Sequence, residues 1–209
     1  MELKKFRLGP LSTNAYLFYK DGEAILFDAP PSSKEIVNFI NENKLKLKGL
    51  FLTHGHFDHI KGIGEILKLD PNIKIYISEK EVNFLNSSYR NLSLLWFPYY
   101  CSYNLDSLNT VPLKGCEEIE GFSVLETPGH TVGGLTFINK TLGVAISGDN
   151  VYTNSIGSFR LPTGNRAQLL ESLILLNEEA EKDNLKILPG HGREFFSDRI
   201  PIQIEKLKG

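Results

Sequence analysis

Cysteine is nearly absent from this chain: Cys101 and Cys116 are the only two in 209 residues, and their spacing fits neither a disulfide framework nor a CxxC motif. Two isolated thiols suit a reducing cytoplasm, where a buried cysteine acts as a small apolar residue. Long apolar runs are missing too. No stretch is long enough to cross a bilayer, and the charged start, Met1-Glu2-Leu3-Lys4-Lys5, has no apolar run behind it. Neither a transmembrane helix nor a signal peptide is expected, so the expected location is cytoplasmic. A basic surplus is also lacking, with 23 Lys and Arg against 25 Asp and Glu and a formal net charge of -2. That balance argues against a strongly basic nucleic-acid binder. There is no low-complexity segment and no repeat of fixed period. The length fits one large domain or two small ones, and either can bury a sizeable core.

Histidine is scarce but concentrated. Three of the five lie in Thr53-His54-Gly55-His56-Phe57-Asp58-His59, and the other two, His130 and His191, each close a Pro-Gly-His triplet. No imidazole is left over, which points to one metal site assembled from distant segments.

Along the chain, Asn14–Tyr19 and Ala24–Phe27 are short apolar runs around Lys20-Asp21-Gly22-Glu23, a hairpin signal. Ser32 and Ser33 are placed to cap a helix with Ile36, Val37 and Ile40 on its apolar face. The Lys and Leu alternation over 44–48 could form a basic patch for an acidic partner, but a solvated edge or turn leading into a strand is the favoured reading. Leu50–Thr53 reads as a buried strand, His59–Leu69 as a helix, Ile73–Ile77 as a strand, and Ser78 as the cap of a short helix through Phe84. Strand and helix alternating at this spacing indicate α/β architecture. Residues 86–109 break the rhythm with Tyr89, Trp96, Phe97, Tyr99, Tyr100 and Tyr103. Three readings of this insertion stay open: a substrate-pocket wall, a homodimer contact, or a loop packed on the core by its own aromatics. Short strands follow at Phe122–Glu126, Leu135–Ile138 and Val144–Ser147. Arg166–Ala180 is the clearest helix, with Leu169, Leu170, Leu173, Ile174, Leu175 and Leu176 as a broad apolar face. Lys186–Leu188 is a last strand, before a terminal helix capped by Asp198.

Each candidate ligand follows a short apolar run: His54 after Gly-Leu-Phe-Leu-Thr, His130 after Val-Leu-Glu-Thr-Pro-Gly, Asp149 after Ala-Ile-Ser-Gly and His191 after Lys-Ile-Leu-Pro-Gly. All four lie just past the exit of an expected strand, where layered α/β folds build sites. Any one alone reads equally well as a turn residue. His54 and His56, two apart on an extended segment, project to one side. Asp58 is an N-cap on the bland reading, but its place inside the cluster favours a ligand role. His54, His56, Asp58, His59, His130, Asp149 and His191 make a donor set of imidazole and carboxylate without thiolate, suited to Zn, Fe or Mn. Seven donors are too many for one tetrahedral ion and suit two ions sharing a carboxylate, with Asp149 the natural bridge and a hydroxide the second. Such a centre lowers the pKa of bound water from about 15.7 to roughly 7. Hydrolysis at an electrophilic carbonyl or phosphorus is the expected chemistry.

With Thr53-His54-Gly55-His56-Phe57-Asp58-His59, Thr127-Pro128-Gly129-His130-Thr131, Ser147-Gly148-Asp149 and Leu188-Pro189-Gly190-His191-Gly192, the chain resembles the metallo-β-lactamase superfamily over nearly its whole length. The resemblance implies a single domain over 1–209 with a four-layer αβ/βα sandwich, two mixed β-sheets flanked by helices. It implies one metal ion held by His54, His56 and His130, and a second held by Asp58, His59 and His191, with Asp149 bridging; from the donor chemistry two divalent ions are expected, Zn before Fe or Mn. It gives Asp28 the task of orienting a ligand histidine. Asn91-Leu92-Ser93, Ser155-Ile156-Gly157 and Leu161-Pro162-Thr163-Gly164-Asn165 are similar to stretches of glyoxalase II-like (hydroxyacylglutathione hydrolase-like) enzymes. Where that group carries an Arg and an Asp, this chain has Ser158 and Arg160. The tail after His191 is too short for the C-terminal helical domain with which full-length glyoxalase II enzymes help bind glutathione. The implied activity is hydrolysis of a small-molecule thioester or related ester by a metal-bridging hydroxide, with Asp58 accepting a proton. Trp96, Tyr99, Tyr100 and Arg160 are candidate pocket residues.

Three rivals remain in view. His54, His130 and Asp149 alone resemble the facial set of a mononuclear iron oxygenase such as a persulfide dioxygenase. A nuclease of the same superfamily would be expected to bring basic binding elements. A metal-binding module without catalysis would be expected to have lost ligands. Neither nucleic acid nor a membrane is expected as partner, and β-lactam hydrolysis is disfavoured for a cytoplasmic chain with the bridging aspartate.

Overall fold

The computed structural model describes residues 1–208. It divides into two compact units, Met1–Leu113 and the residues from Lys114 onward.

The first unit is built on β1 (Glu2–Leu8), β2 (Thr13–Lys20), β3 (Glu23–Phe27), β4 (Lys46–Phe51), β5 (Ile75–Ser78) and β6 (Thr110–Leu113), adjacent in that order in one sheet. The strands β1 to β3 form an antiparallel meander, and β3 to β6 are parallel. Lys20 pairs with Glu23 across the expected two-residue turn, where Asp21 (φ 52°) and Gly22 (φ 80°) both take the left-handed conformation of a type I′ hairpin. The sequence reading missed β1. Lys4, Lys5 and Arg7 hide its apolar periodicity, and its pairing with β2 from Glu2↔Tyr19 to Leu8↔Thr13 rests on backbone hydrogen bonds along a charged edge. Leu17, Leu26 and Leu50 from the sheet pack with Ile36 and Ile40 of α1 (Lys34–Glu42) and with Ile60, Ile63 and Ile66. On the sheet's other residues, Phe51 lies between Phe27 and Tyr76 with ring centroids 5.2 and 4.4 Å away. Central strands buried on both faces read as continuous apolar runs, which is why they were legible.

The helix expected over His59–Leu69 is two short pieces, α2 (Phe57–Ile60) and α3 (Ile63–Ile66). The break sits at Gly62, whose N–H donates to the Ala29 carbonyl at 2.7 Å. A Cβ at Gly62 would collide with Ser33 Oγ and the Pro30 carbonyl. Tertiary approach to the loop after β3 therefore overrides the helical pattern. Ser33 also departs from expectation: it stands at the N-cap of α1 without a side-chain capping bond, because its hydroxyl donates to the Pro30 carbonyl at 2.7 Å. Ser78 does cap the turn after it, accepting from Lys80 N at 3.3 Å, and Glu79–Phe84 is a 3₁₀ helix.

The second unit holds β7 (Glu118–Ile119), β8 (Phe122–Glu126), β9 (Leu135–Asn139), β10 (Val144–Gly148), β11 (Lys186–Pro189) and β12 (Phe195–Phe196), ordered β12-β11-β10-β9-β8-β7. Only β10 and β11 are parallel, joined through α4 (Arg166–Glu181). Asn165 caps α4 by accepting from Gln168 N at 3.1 Å. The buried stripe of α4 is Leu169, Ser172, Leu173, Leu176 and Ala180 at helical spacing. Ile174 and Leu175, expected on that face, are exposed. Here a run of apolar letters concealed the true period. This stripe packs with Ile138, Ala145 and Ile187 of the sheet and with Ile200, Ile204 and Leu207 of α5 (Ile200–Lys208). Among the described residues no helix is long and apolar enough to cross a membrane.

The Gly62 approach is testable against a neighbouring glycine. Gly62→Ala is expected to cost about 1–3 kcal/mol of unfolding free energy through overpacking. Gly64→Ala in α3, where an added Cβ meets nothing within 4 Å, should be neutral or gain up to about 1 kcal/mol. Urea unfolding of both variants measures the difference.

Candidate metal centre

In the first unit the parallel pairing of β3 and β4 places two chain exits side by side. Phe27 pairs with Phe51, and Asp28 N donates to the Phe51 carbonyl at 2.9 Å. Asp28 then turns into the left-handed region (φ 61°), which aims its carboxylate at the segment leaving β4. The Thr53 N–H donates to Asp28 Oδ1 at 2.8 Å, and the Thr53 hydroxyl donates to Oδ2 at 2.9 Å. His59 Nδ1 lies 2.8 Å from the same Oδ2, so this nitrogen carries the proton. The Thr53 hydroxyl has spent its hydrogen on Asp28, so at 3.1 Å its oxygen accepts from His54 Nδ1. One carboxylate thereby fixes two imidazoles as Nδ1–H tautomers. Both Nε2 lone pairs are left to serve as donors.

The rest of the cluster is held as firmly. Thr13 at the start of β2 donates its hydroxyl to Asp58 Oδ2 at 2.8 Å. Between His54 and His56, the Gly55 N–H donates to the carboxylate of fully buried Glu81 at 2.5 Å. The Phe57 N–H donates to the Asn91 carbonyl at 2.8 Å. The His54 ring lies 4.8 Å from His56 and 4.1 Å from His59. Asp28, His54, His56, Asp58 and His59 are all buried.

The second unit carries the other three candidates. His130 follows β8 through Thr127-Pro128-Gly129, a bend seated on the first two turns of α4. Ser172 Oγ donates to the Pro128 carbonyl at 2.6 Å, and Gly129 (φ 131°) lies so close to the Leu169 backbone that a Cβ could not fit. His130 Nδ1 donates to the Ser158 carbonyl at 2.8 Å, which again leaves Nε2 as the donor. Asp149 and His191 leave the parallel strands β10 and β11, tied by Gly190 N donating to the Gly148 carbonyl at 2.8 Å. Asp149 Oδ2 stands 3.6 Å from His130 Nε2 and 3.4 Å from His191 Nε2.

These spacings test the donor set for a metal. At bond lengths of about 2.0–2.1 Å, two ligands of a tetrahedral ion stand about 3.3–3.4 Å apart. Asp149 Oδ2 meets that edge length toward two imidazoles, and Asp58 Oδ2 lies 3.5 Å from His59 Nε2. All three separations exceed the usual hydrogen-bond range of about 2.7–3.2 Å. The residues fit metal ions bound through Nε2 and carboxylate oxygen.

The pocket candidates are less uniform. Trp96 stacks on Phe57 at 5.6 Å and Tyr99 lies 6.5 Å from the same ring. Tyr100 is exposed, and its carbonyl accepts from Lys61 Nζ at 2.6 Å. Arg160 is exposed, with its guanidinium 5.8 Å from the Phe159 ring. Tyr103 donates its hydroxyl to the Ile60 and Lys61 carbonyls at 3.1 and 2.9 Å, and burial pushes its phenol well above the usual range. Sequence reasoning missed Thr13, Glu81 and the Ser158 carbonyl, because each acts across a fold contact that leaves no local pattern.

Residues 8–191 match the family described as the metallo-beta-lactamase superfamily. The chain belongs to that superfamily. Metallo-β-lactamase superfamily relatives include probable metallo-hydrolase YqgX of Bacillus subtilis, 30% identical across 93% of this chain and 92% of that protein. A hydroxyacylglutathione hydrolase of Francisella tularensis is 25% identical over 91% of this chain and 68% of its own length. The crystal structure of BLEG-1 B3 metallo-beta-lactamase matches with a TM-score of 0.86 and 26% identity over all of both chains. That of TTHA1623 in a di-iron-bound form matches with a TM-score of 0.81 and 25% identity, over 93% of this chain and 95% of that one. The two mixed six-stranded sheets and their helices are thus those of the metallo-β-lactamase αβ/βα fold, as the motifs implied.

Removal of the Asp28 carboxylate tests the tautomer argument. Asp28→Asn is expected to weaken divalent-metal affinity by about 10–100-fold, the usual cost of losing a group that orients a ligand. Thr53→Val should weaken it in the same direction. Competition against a chromophoric chelator reads both.

Proposed function

We propose that the chain is a metal-dependent hydrolase of a small-molecule thioester or related ester, with both units acting as one catalytic domain. The observation that carries this reading is the position of Asp149, one carboxylate oxygen at ligand-edge distance from two imidazoles of different strand exits. On this reading His54, His56 and His130 hold one divalent ion, Asp58, His59 and His191 hold another, and Asp149 is shared. The span of the family match, 8–191, supports joining donors from both units. Zinc is the proposed metal. The di-iron form of TTHA1623 favours iron as the second choice, with manganese third.

When bound, the two ions would supply Lewis acidity toward the substrate carbonyl and lower the pKa of the attacking water. The chain's own residues do the rest. Asp28 and Thr53 keep His54 and His59 in the Nε2-donor tautomer, and Ser158 does so for His130. Thr13 holds Asp58 in a single orientation, from which its carboxylate takes a proton from the water. Oxygen bonds to the acyl carbon, the carbon–sulfur bond breaks, and the leaving thiolate is protonated, giving acid and thiol.

The name of the Francisella tularensis relative supports a thioester, and YqgX, a probable metallo-hydrolase, supports the reaction class. The proposed setting is the cytoplasm, without nucleic acid or membrane as partner.

The test combines metal analysis with activity. Protein purified without added metal is expected to carry two ions per chain and to cleave simple acyl thioesters faster than a cephalosporin. Asp149→Ala and His56→Ala should each lower kcat/KM by at least roughly a hundredfold while circular dichroism stays native. One iron per chain with sulfur-dependent oxygen uptake would replace the hydrolase with the oxygenase reading.

A further inference from the structure

A cleft of about 460 Å³ opens beside His191, within the size range of small-molecule sites, and is lined by Tyr152, Thr153, Asn154, Ser155, His191, Gly192 and Arg193. Its walls are built. Tyr152 N donates to the Ser155 carbonyl at 2.8 Å, closing a tight turn, and Val151 bridges to Ile156 at its base. From α5, Gln203 Nε2 and Lys206 Nζ donate to the Thr153 and Asn154 carbonyls at 3.2 and 3.1 Å. The Thr153 hydroxyl donates to the Arg193 carbonyl at 2.9 Å, locking the two walls together. The Tyr152 ring meets the His191 ring edge-on at 6.0 Å, so the half-buried imidazole forms one end of the cleft.

The charge of this cleft is one-sided. Its lining holds no carboxylate, while Arg193 contributes a permanent cation and Lys206 stands behind the turn. Among the described residues the Arg193 side chain enters no ion pair or hydrogen bond; its recorded bond is to the backbone carbonyl. Carboxylates line instead a neighbouring hollow that shares Thr153 and Arg193, where Glu194 and Asp198 stand in the wall together with Arg199. A guanidinium without a protein partner, in a cleft furnished with hydroxyl and amide groups, matches a carboxylate, which it binds through two parallel N–H donors.

We propose that this cleft is an anion subsite, in which Arg193 receives a carboxylate carried on the thiol half of the substrate. The assignment to the thiol half rests on the hydrolase reading above. The cleft begins at His191, which that reading makes a metal ligand, so one half of a bound thioester extends into it, and the proposal takes that half to be the thiol. Substrates are then thioesters of an acidic thiol, and the product of the reaction that supplies them bears the same carboxylate.

Two measurements on the zinc-loaded full chain test the subsite. The first compares S-acetyl-3-mercaptopropionate with neutral S-acetyl-ethanethiol. Wild type is expected to favour the anion, and Arg193→Ala to lower the ratio of the two kcat/KM values on the order of tenfold, mainly through KM. Arg193→Lys should restore part of the ratio. An unchanged ratio in a variant with native melting temperature overturns the subsite and leaves the hydrolase intact. The second titrates the inert thioether 3-(methylthio)propionate and follows the backbone amides of 152–155 and 191–193 by NMR. Saturable shifts that vanish in Arg193→Ala support the subsite even if neither thioester is cleaved, which would sink only the hydrolase reading. Shifts that are absent, or equal in the variant, overturn it.

Discussion

The Asp28 carboxylate is the interaction on which the candidate metal donors of the first unit depend. A buried anion is costly unless its oxygens are met by donors, and here Thr53 N–H, Thr53 O–H and His59 Nδ1–H meet them within 2.9 Å. Each donor it collects fixes something else. The Thr53 amide fixes the chain as it leaves β4. The Thr53 hydroxyl passes the orientation to His54, and the imidazolyl proton orients His59. The parallel register of β3 and β4 makes this reach possible, because Phe27 and Phe51 pair and the next residues of both strands stand together. A one-residue slip would turn Asp28 to the opposite face and dissolve the set.

The second unit reaches the same chemical end with backbone in place of a carboxylate. His130 is oriented by the Ser158 carbonyl, a neutral acceptor. The difference fits the local chain: Pro128 and Gly129 are clamped on α4, where a bulky side chain could not enter. Asp149 and His191 again exit neighbouring parallel strands, so both units use the same device. Parallel neighbours end at one level, and the loops that follow bring donors together without long excursions.

What was legible in the sequence follows from this division of labour. The hairpin at Asp21-Gly22, the buried strands and α4 were readable because local chemistry and the fold agree there. The proposed ligand set could be named from the sequence because each donor type sits at a strand exit within a family motif. The misreadings lie where tertiary contact overrides the local pattern. Gly62 breaks a helix because Pro30 and Ser33 leave no room, Ser33 gives its hydroxyl to a carbonyl in place of a cap, and β1 hides its strand character under edge charges. The groups that hold these candidate donors in place were invisible. Thr13 is 45 residues from Asp58 and Glu81 is 26 from Gly55, separations over which no periodicity carries information.

The aromatic segment shows how two of the readings open at the sequence level can describe different parts of one loop. Its ends are packed: Asn91 Nδ2 and Ser93 Oγ both donate to the Cys101 carbonyl at 3.1 Å, and Tyr103 caps the carbonyls at the end of α2. Between them Leu94, Leu95 and Phe97 face outward, Phe97 with 94% of its surface exposed. No charged residue occurs from Asn91 to Leu105. An exposed apolar tip on a charge-free loop is the feature that the contact reading calls for, while the packed ends answer to the loop reading. Its anchor is Phe57, which stacks on Trp96 and lies in sequence between His56 and Asp58. Displacement of this loop would therefore be felt at the helix that carries Asp58 and His59. The same contacts that pack the loop also couple it to the residues proposed to hold metal.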